Sequence, residues 1–177
     1  MKWGEVMLEQ KISQLRTFSS LHKTYLTRVV ESIVNHYKEN LIGLAVFGSY
    51  ARKENRLNSD FDLLILLKKG PGRRERLNEF ITQIEMKHES VAQELYEREE
   101  MICDLSPIIL TQEEALTFQA IYPDMVDHCI ILHDPEGLIQ RILTSTKNLL
   151  EKMGAKKILR NNSWEWQFSR FLGGVPL

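Results

Sequence analysis

The sequence predicts an α/β protein, because short apolar runs alternate with longer stretches of helical periodicity. Two of the apolar runs, residues 41–47 and 63–67, are bounded by polar turn residues, as expected for buried strands. An N-terminal segment of about residues 1–40 has apolar residues every three or four positions, which indicates helix. A serine pair divides this segment, and we expect its second member, Ser20, to cap the second helix. The length favours a single domain over residues 1–177.

Two carboxylates stand one residue apart at the start of the second strand. Asp60 and Asp62 share a face of the strand, because successive strand side chains point to opposite faces. Like charges at the start of a buried strand repel each other and are costly to desolvate. A hard divalent cation resolves this conflict, and Mg²⁺ usually takes one or two carboxylates together with substrate phosphates.

Gly48 and Ser49 follow the first strand and predict a phosphate cradle. We expect Ser49 to be the N-cap of a short helix over Tyr50 to Asn55. Glycine lets the backbone approach a ligand closely, and free N–H groups at a helix start suit a phosphate. The two strand ends together predict a site for a nucleoside triphosphate with Mg²⁺.

This stretch resembles the signature of the nucleotidyltransferase superfamily with the DNA polymerase β-like fold, in particular its minimal nucleotidyltransferase branch. The signature reads Gly-Ser, ten residues, Asp-x-Asp, and Gly48, Ser49, Asp60 and Asp62 match it. Further matches to the minimal branch are Ala51, Arg52, Glu54, Arg56, Ser59, Leu63 and Leu64. Lys53 departs from the branch, which usually has glycine there. The resemblance implies a mixed sheet of about 4–5 strands with flanking helices, mainly on one side.

The resemblance also implies a third acid on a later strand. Asp104 has that position, inside an apolar run over residues 101–110 that we expect to be a third strand. Pro107 indicates that this strand is interrupted or lies at an edge of the sheet. A salt bridge or hydrogen bond to a neighbouring basic group is the alternative role for a lone buried acid. As a ligand, Asp104 would join Asp60 and Asp62 in holding two Mg²⁺ or Mn²⁺ ions, and it would also draw the proton from the nucleophile.

The implied reaction moves a nucleoside monophosphate from a triphosphate, expected to be ATP, to an acceptor hydroxyl with release of pyrophosphate. Gly48 and Ser49 would hold the β- and γ-phosphates. The acceptor is not evident from the sequence, and two alternatives stay open. One is an antitoxin-type protein that adds AMP to a helical toxin partner. The other is a non-catalytic nucleotide-binding or scaffold subunit that holds a partner through its first helices.

The rest of the chain predicts supporting elements. A long helix runs from about Arg73 to Glu99 with His88 on its buried stripe, where a core histidine is the more common role. A capping box over residues 111–114 starts a further helix to about Ala120, and residues 129–132 form a fourth strand. A last helix follows and ends near Gly154.

The tail of about residues 156–177 mixes aromatic and basic residues. Residues 157–159 have the apolar character of a short strand. Aromatic tails usually dock on a core or form a homodimer contact, whereas aromatics among basic residues also stack on bases.

The composition limits which partners and which cellular compartment can be expected. The net charge of −1 gives no basic field that would indicate nucleic-acid binding. Two cysteines without zinc-ligand spacing predict reduced core thiols, and the chain shows neither a membrane-spanning apolar run nor a signal-peptide core. We therefore expect a cytoplasmic protein without a membrane partner.

Overall fold

A four-stranded mixed sheet forms the centre of the computed structural model, which describes residues 8–160, 163–167 and 176–177. Its strands are β1 (Leu41–Val46), β2 (Phe61–Leu67), β3 (Leu105–Thr111) and β4 (Ile130–His133). Their order is β3-β2-β1-β4, in which β1 is antiparallel to both neighbours and β2 is parallel to β3. The predicted α/β fold with a mixed sheet is therefore confirmed, and β3 lies at the edge, as Pro107 indicated.

Helices lie on both faces of this sheet. They are α1 (Ser20–Tyr37), α2 (Gly48–Arg52), α3 (Arg73–Gln83), α4 (Glu89–Glu99), α5 (Gln112–Ala115), α6 (Tyr122–Asp127) and α7 (Leu138–Lys152). Residues 8–12 are also helical, and 3₁₀ turns occupy Lys38–Asn40 and Glu85–His88. No helix in the described ranges has the length and apolar character needed to cross a membrane.

Two hydrophobic cores explain why β1 and β2 are apolar at nearly every position. Leu63 and Ile65 of β2 face a core that includes Val29 and Ile33 of α1. The alternate residues of β2 face a second core formed with α6 and α7. Strands buried on both faces read as continuous apolar runs rather than alternating ones. The expectation that helices lie mainly on one side is therefore wrong.

Several element boundaries differ from the sequence prediction. Ser19, not Ser20, caps α1, because its hydroxyl accepts a hydrogen bond from the His22 amide. The predicted helix from Arg73 to Glu99 is two helices, separated by Ile84 with φ −124° and a 3₁₀ turn. The helix predicted to reach Ala120 contains only Gln112–Ala115, although its capping box forms as expected.

The end of the chain adds a separate hairpin rather than a fifth strand of the main sheet. Strands β5 (Lys156–Arg160) and β6 (Ser163–Gln167) pair with each other. The indole N–H of Trp166 donates to Asp124 Oδ1 at 3.2 Å, which docks the hairpin on α6. The predictions for residues 1–7 and for the aromatic part of the tail, residues 168–175, lie outside the described residues.

Candidate active site

The turn between β1 and α2 is built around Gly48. Its φ of +65° lies in the left-handed region, which glycine adopts without steric cost. Helix α2 therefore begins at Gly48 itself, and its N-cap is Phe47, which provides no side-chain hydrogen bond. The prediction that Ser49 is the N-cap of a helix over Tyr50 to Asn55 is wrong, because the helix begins two residues earlier and Ser49 lies inside it.

Lys53 ends α2 in a conformation that explains the glycine usual in the resembling branch. Its φ of +59° and ψ of 30° are left-handed, and its amide bonds to carbonyls of the last helical turn. A non-glycine residue in this region costs roughly 1–2 kcal/mol. The turn geometry is therefore kept despite the departure at Lys53.

The Asp62 carboxylate lies directly against the backbone of Gly48. A Cβ atom added to Gly48 would stand 2.8 Å from Asp62 Cγ and still closer to the carboxylate oxygen Oδ2. The Phe47 amide also donates to the Asp62 carbonyl at 3.1 Å, which joins the two strand ends. Gly48, predicted to hold a phosphate, and Asp62, predicted to bind a metal ion, therefore lie in contact.

Asp60 and Asp62 differ in burial. Asp60 is exposed and precedes β2 by one residue, whereas Asp62 is half-buried within the strand. Burial raises the pKa of Asp62, and the charge of Asp60 raises it further, while a hydrogen bond from Ser106 and the charge of Arg52 oppose the rise. The two carboxylates therefore repel each other, as the sequence predicted.

Ser106 is a site residue that sequence reasoning missed. It pairs with Asp62 in the parallel register of β2 and β3, and the two side chains are hydrogen-bonded. The sequence offered one indication of this role. Asp104 and Ser106 are two residues apart at the start of β3, as Asp60 and Asp62 are at the start of β2.

Asp104 lies at the same end of the sheet but is not buried. Strand β3 begins at Leu105, so the expected strand over residues 101–110 starts later and Asp104 precedes it as an exposed residue. Its carbonyl accepts a hydrogen bond from the Phe61 amide at 2.8 Å, which places it beside the start of β2. Its charge also contributes to the raised pKa of half-buried Glu85, after the larger effect of burial.

The donor set fits a hard divalent cation that also binds phosphate oxygens. Asp60 and Asp62 supply carboxylates with mutual repulsion and no ion pair within the described ranges. The described residues contain no group of three or more acidic, histidine or cysteine side chains assembled to hold a metal. A site of this kind suits Mg²⁺, which commonly uses one or two carboxylates plus substrate phosphates.

Comparisons with known proteins identify the family of this architecture. Residues 26–117 match the family model described as nucleotidyltransferase domain. The matched segment contains β1, β2 and β3 and the three residues Asp60, Asp62 and Asp104. No curated protein sequence matches the chain.

Three chains of solved structures show a loose likeness. One, from a toxin–antitoxin with AMP-PNP, is 14% identical over 71% of this chain and 90% of that chain, with a TM-score of 0.42. Another, from the tri-AMPylated Shewanella oneidensis HEPN toxin in complex with MNT antitoxin, is 14% identical over 71% and 87%, with a TM-score of 0.37. A third, from the toxin–antitoxin MntA-HepT, is 13% identical over 71% and 87%, with a TM-score of 0.36.

Proposed function

This chain belongs to the nucleotidyltransferase domain family, and on that premise we propose that it transfers a nucleoside monophosphate from ATP to an acceptor hydroxyl. Pyrophosphate is the second product. The family membership supports the transferase class, and the site geometry supports the assignment of roles to individual residues. We propose the cytoplasm as its compartment, since both cysteines of the chain are free thiols.

The contact between Gly48 and Asp62 is the observation that carries this proposal. Only a residue without a Cβ leaves the Asp62 carboxylate room beside the turn. Phosphates held by the backbone at Gly48 and Ser49 would therefore lie next to a carboxylate. Such closeness is unfavourable between two anions unless a cation lies between them.

Asp60 and Asp62 are the residues that would hold this cation, with Asp104 as the candidate third ligand. When bound, Mg²⁺ supplies charge neutralisation for the phosphates and for the entering and leaving oxygens. Ser106 orients Asp62 through its hydrogen bond. Arg52, which pairs with Glu54 at 2.9 Å, places a positive charge near the same carboxylate.

The proposed reaction is an in-line displacement at the α-phosphorus. The acceptor oxygen forms a bond to the α-phosphorus as the bond to the bridging oxygen of pyrophosphate breaks. Gly48 and Ser49 retain the β- and γ-phosphates that become the leaving group. Asp104, exposed at the start of β3, accepts the proton of the acceptor hydroxyl.

Substitution of Asp62 tests the proposal. We expect Asp62→Asn to abolish Mg²⁺-dependent ATP binding in calorimetric titration, while Asp127→Asn, the same change on α6, leaves it unchanged. Because burial raises the pKa of Asp62, the stability that this group contributes falls as pH rises through that pKa. The metal-free Asp62→Asn variant should therefore melt at a higher temperature than the unsubstituted protein at neutral pH. Equal ATP binding by both proteins would contradict the role of Asp62.

The identity of the acceptor is a separate question. The antitoxin-type alternative predicts that a helical protein partner receives the nucleotide, and it is supported by the match of residues 48–64 to the minimal branch. Incubating the protein with cell extract and α-labelled ATP tests this alternative. A labelled protein band would support it, whereas label in a small molecule or nucleic acid would contradict it. Mg²⁺-dependent ATP binding without transfer to any acceptor would favour the scaffold alternative.

A further inference from the structure

Two buried polar side chains connect α1 to the turn at Gly48 and Ser49, called the nucleotide turn below. His22 is 1% exposed and Tyr50 is 3% exposed, and the His22 Nε2 atom lies 3.1 Å from the Tyr50 hydroxyl. Tyr50 directly follows Ser49 in α2. Neither side chain has a part in the reaction proposed above.

The hydrogen bonds around His22 define its tautomer. The Phe18 amide donates to His22 Nδ1 at 3.3 Å, so Nδ1 carries the lone pair and Nε2 carries the proton. The imidazole therefore donates to the Tyr50 oxygen. Burial lowers the pKa of His22 to about 4, despite an opposing effect of Glu99, and the neutral ring is the form present at neutral pH. Burial raises the pKa of Tyr50 to about 12, so its hydroxyl is also neutral.

Tyr50 also contacts the strand that bears the acids. Its ring packs edge-to-face against Phe61, with ring centroids 5.0 Å apart and an interplanar angle of 71°. Phe61 lies between Asp60 and Asp62 in the chain. One side chain therefore joins the turn at Ser49 to the start of β2, and the bond from His22 fixes the tilt of that side chain.

Packing alone does not account for polar groups at this position. An apolar pair of similar volume would fill the same space without desolvation of an imidazole and a hydroxyl. A hydrogen bond adds direction, and a satisfied buried polar pair specifies one arrangement of its neighbours. We propose that His22 and Tyr50 are a positioning pair that holds the Gly48–Ser49 turn in register with Asp60 and Asp62 for triphosphate binding. This proposal rests on the function proposed above.

The chain offers a matched control for removal of the Tyr50 hydroxyl. Ser32 Oγ lies 2.8 Å from Nε2 of His88, another buried histidine packed against α1. Tyr50→Phe and Ser32→Ala therefore each delete one hydroxyl bonded to an imidazole Nε2, and only the first bond leads to the nucleotide turn.

Two substitutions of His22 separate positioning from local structure. His22→Gln keeps an N–H donor that reaches toward Tyr50, whereas His22→Asn keeps an acceptor for the Phe18 amide and loses that donor. Positioning therefore predicts that His22→Gln retains ATP binding and His22→Asn does not. A purely structural role in the turn at Phe18 predicts the reverse order.

The experiment is calorimetric titration of the full chain with ATP and Mg²⁺, with a thermal melt of each variant. We expect Tyr50→Phe and His22→Asn to weaken binding by roughly three- to tenfold, the size of one net hydrogen bond. The ATP affinities of Ser32→Ala and His22→Gln should stay within about twofold of that of the unsubstituted protein, a difference smaller than the contribution of one such hydrogen bond. Unchanged binding in Tyr50→Phe, an equal loss in Ser32→Ala, or the reverse order of the His22 variants would overturn the positioning role alone. Absence of ATP binding by the unsubstituted protein would overturn the proposed function and the positioning role with it.

Discussion

The two ends of the central sheet differ in whether their charged side chains are paired within the protein. At the end where β2 finishes, Arg76 is 2% exposed and its Nη2 atom donates to both Glu114 oxygens, at 3.0 and 2.7 Å. Its Nη1 atom donates to the Pro71 carbonyl at 2.9 Å. At the end where β2 starts, Asp60, Asp62 and Asp104 take part in no ion pair within the described ranges.

This difference separates a charge that the protein compensates internally from carboxylates that it leaves without an internal cation. The protein itself compensates the buried guanidinium, because an unpaired buried charge would be strongly destabilising. The three carboxylates are more exposed and tolerate the lack of an internal cation, at the expense of mutual repulsion between Asp60 and Asp62. Carboxylates left uncompensated in this way are available to an external cation, which is the premise of the proposed site.

Loss of Glu114 should have the largest effect on stability. Glu114→Ala leaves the Arg76 guanidinium buried and unpaired and also removes the capping bond to Thr111, so we expect destabilisation of about 3–5 kcal/mol in chemical denaturation. Glu113→Ala is the matched control, because Glu113 is exposed and adjacent in the chain. ATP binding by the folded fraction should not change. A loss below about 1 kcal/mol, the value typical of surface pairs, would show that the two ends do not differ as described.

Substitution of Gly48 should have the next largest effect, and Gly137 provides its control. Both residues have left-handed φ angles, +65° and +67°, so an alanine at either position costs roughly 1–2 kcal/mol in backbone strain. At Gly137 the new Cβ meets only Arg141 Nη1 at 3.8 Å, whereas at Gly48 it displaces the Asp62 carboxylate.

We therefore expect both variants to lose stability in thermal melts, Gly48→Ala more than Gly137→Ala because of the clash with Asp62, while only Gly48→Ala loses ATP binding in calorimetry. The loss of binding arises from the moved carboxylate as well as from a blocked approach of the phosphates. Equal ATP affinity in the two variants would mean that the phosphates bind away from this turn.

The same contrast explains which parts of the site were predictable from the sequence. The strand ends at Gly48 and Asp62 carry local signals, because apolar runs and turn residues depend on neighbouring positions in the chain. The pairing of β2 with β3 is a contact between distant segments, so neighbouring positions in the chain did not indicate the late start of β3. For Ser106 the only local signal was its two-residue spacing from Asp104, which does not show that it pairs with Asp62. The position of Ser49 inside α2 follows from the φ of Gly48, a choice among conformations that glycine leaves open.

The burial of two polar side chains, His88 and Arg76, depends on tertiary packing and was only partly indicated by the spacing of apolar residues in the sequence. His88 was expected to be a core histidine, and it is buried with a hydrogen bond to Ser32. The Arg76–Glu114 pair was not foreseen, because Arg76 lies in a segment rich in charge, although it stands four residues before the buried Phe80. Only the contact between α3 and α5 shows that this arginine is buried.

The smallest effect on stability is expected for Asp104, where sequence and structure disagree most. A carboxylate buried in an apolar strand with a cationic partner would cost roughly 3–5 kcal/mol on neutralisation, since the partner would be left unpaired. Asp104 is instead exposed, and substitutions at such surface positions usually change stability by less than about 0.5 kcal/mol.

The neighbouring Glu85 gives the direction of this small change. Burial raises the pKa of Glu85 and the charge of Asp104 raises it further, so the ionised form of Glu85 is disfavoured in the folded chain. The stability contributed by Glu85 therefore falls as pH rises through its folded pKa, and Asp104→Asn relieves part of that loss at neutral pH. We expect the metal-free variant to melt at the same temperature as the unsubstituted protein or slightly higher. If Asp104 accepts the proton of the acceptor, ATP binding should persist while labelled transfer falls by orders of magnitude. A loss of several kcal/mol with transfer retained would instead show that Asp104 neutralises a buried cation, and that both ends of the sheet compensate their charges internally.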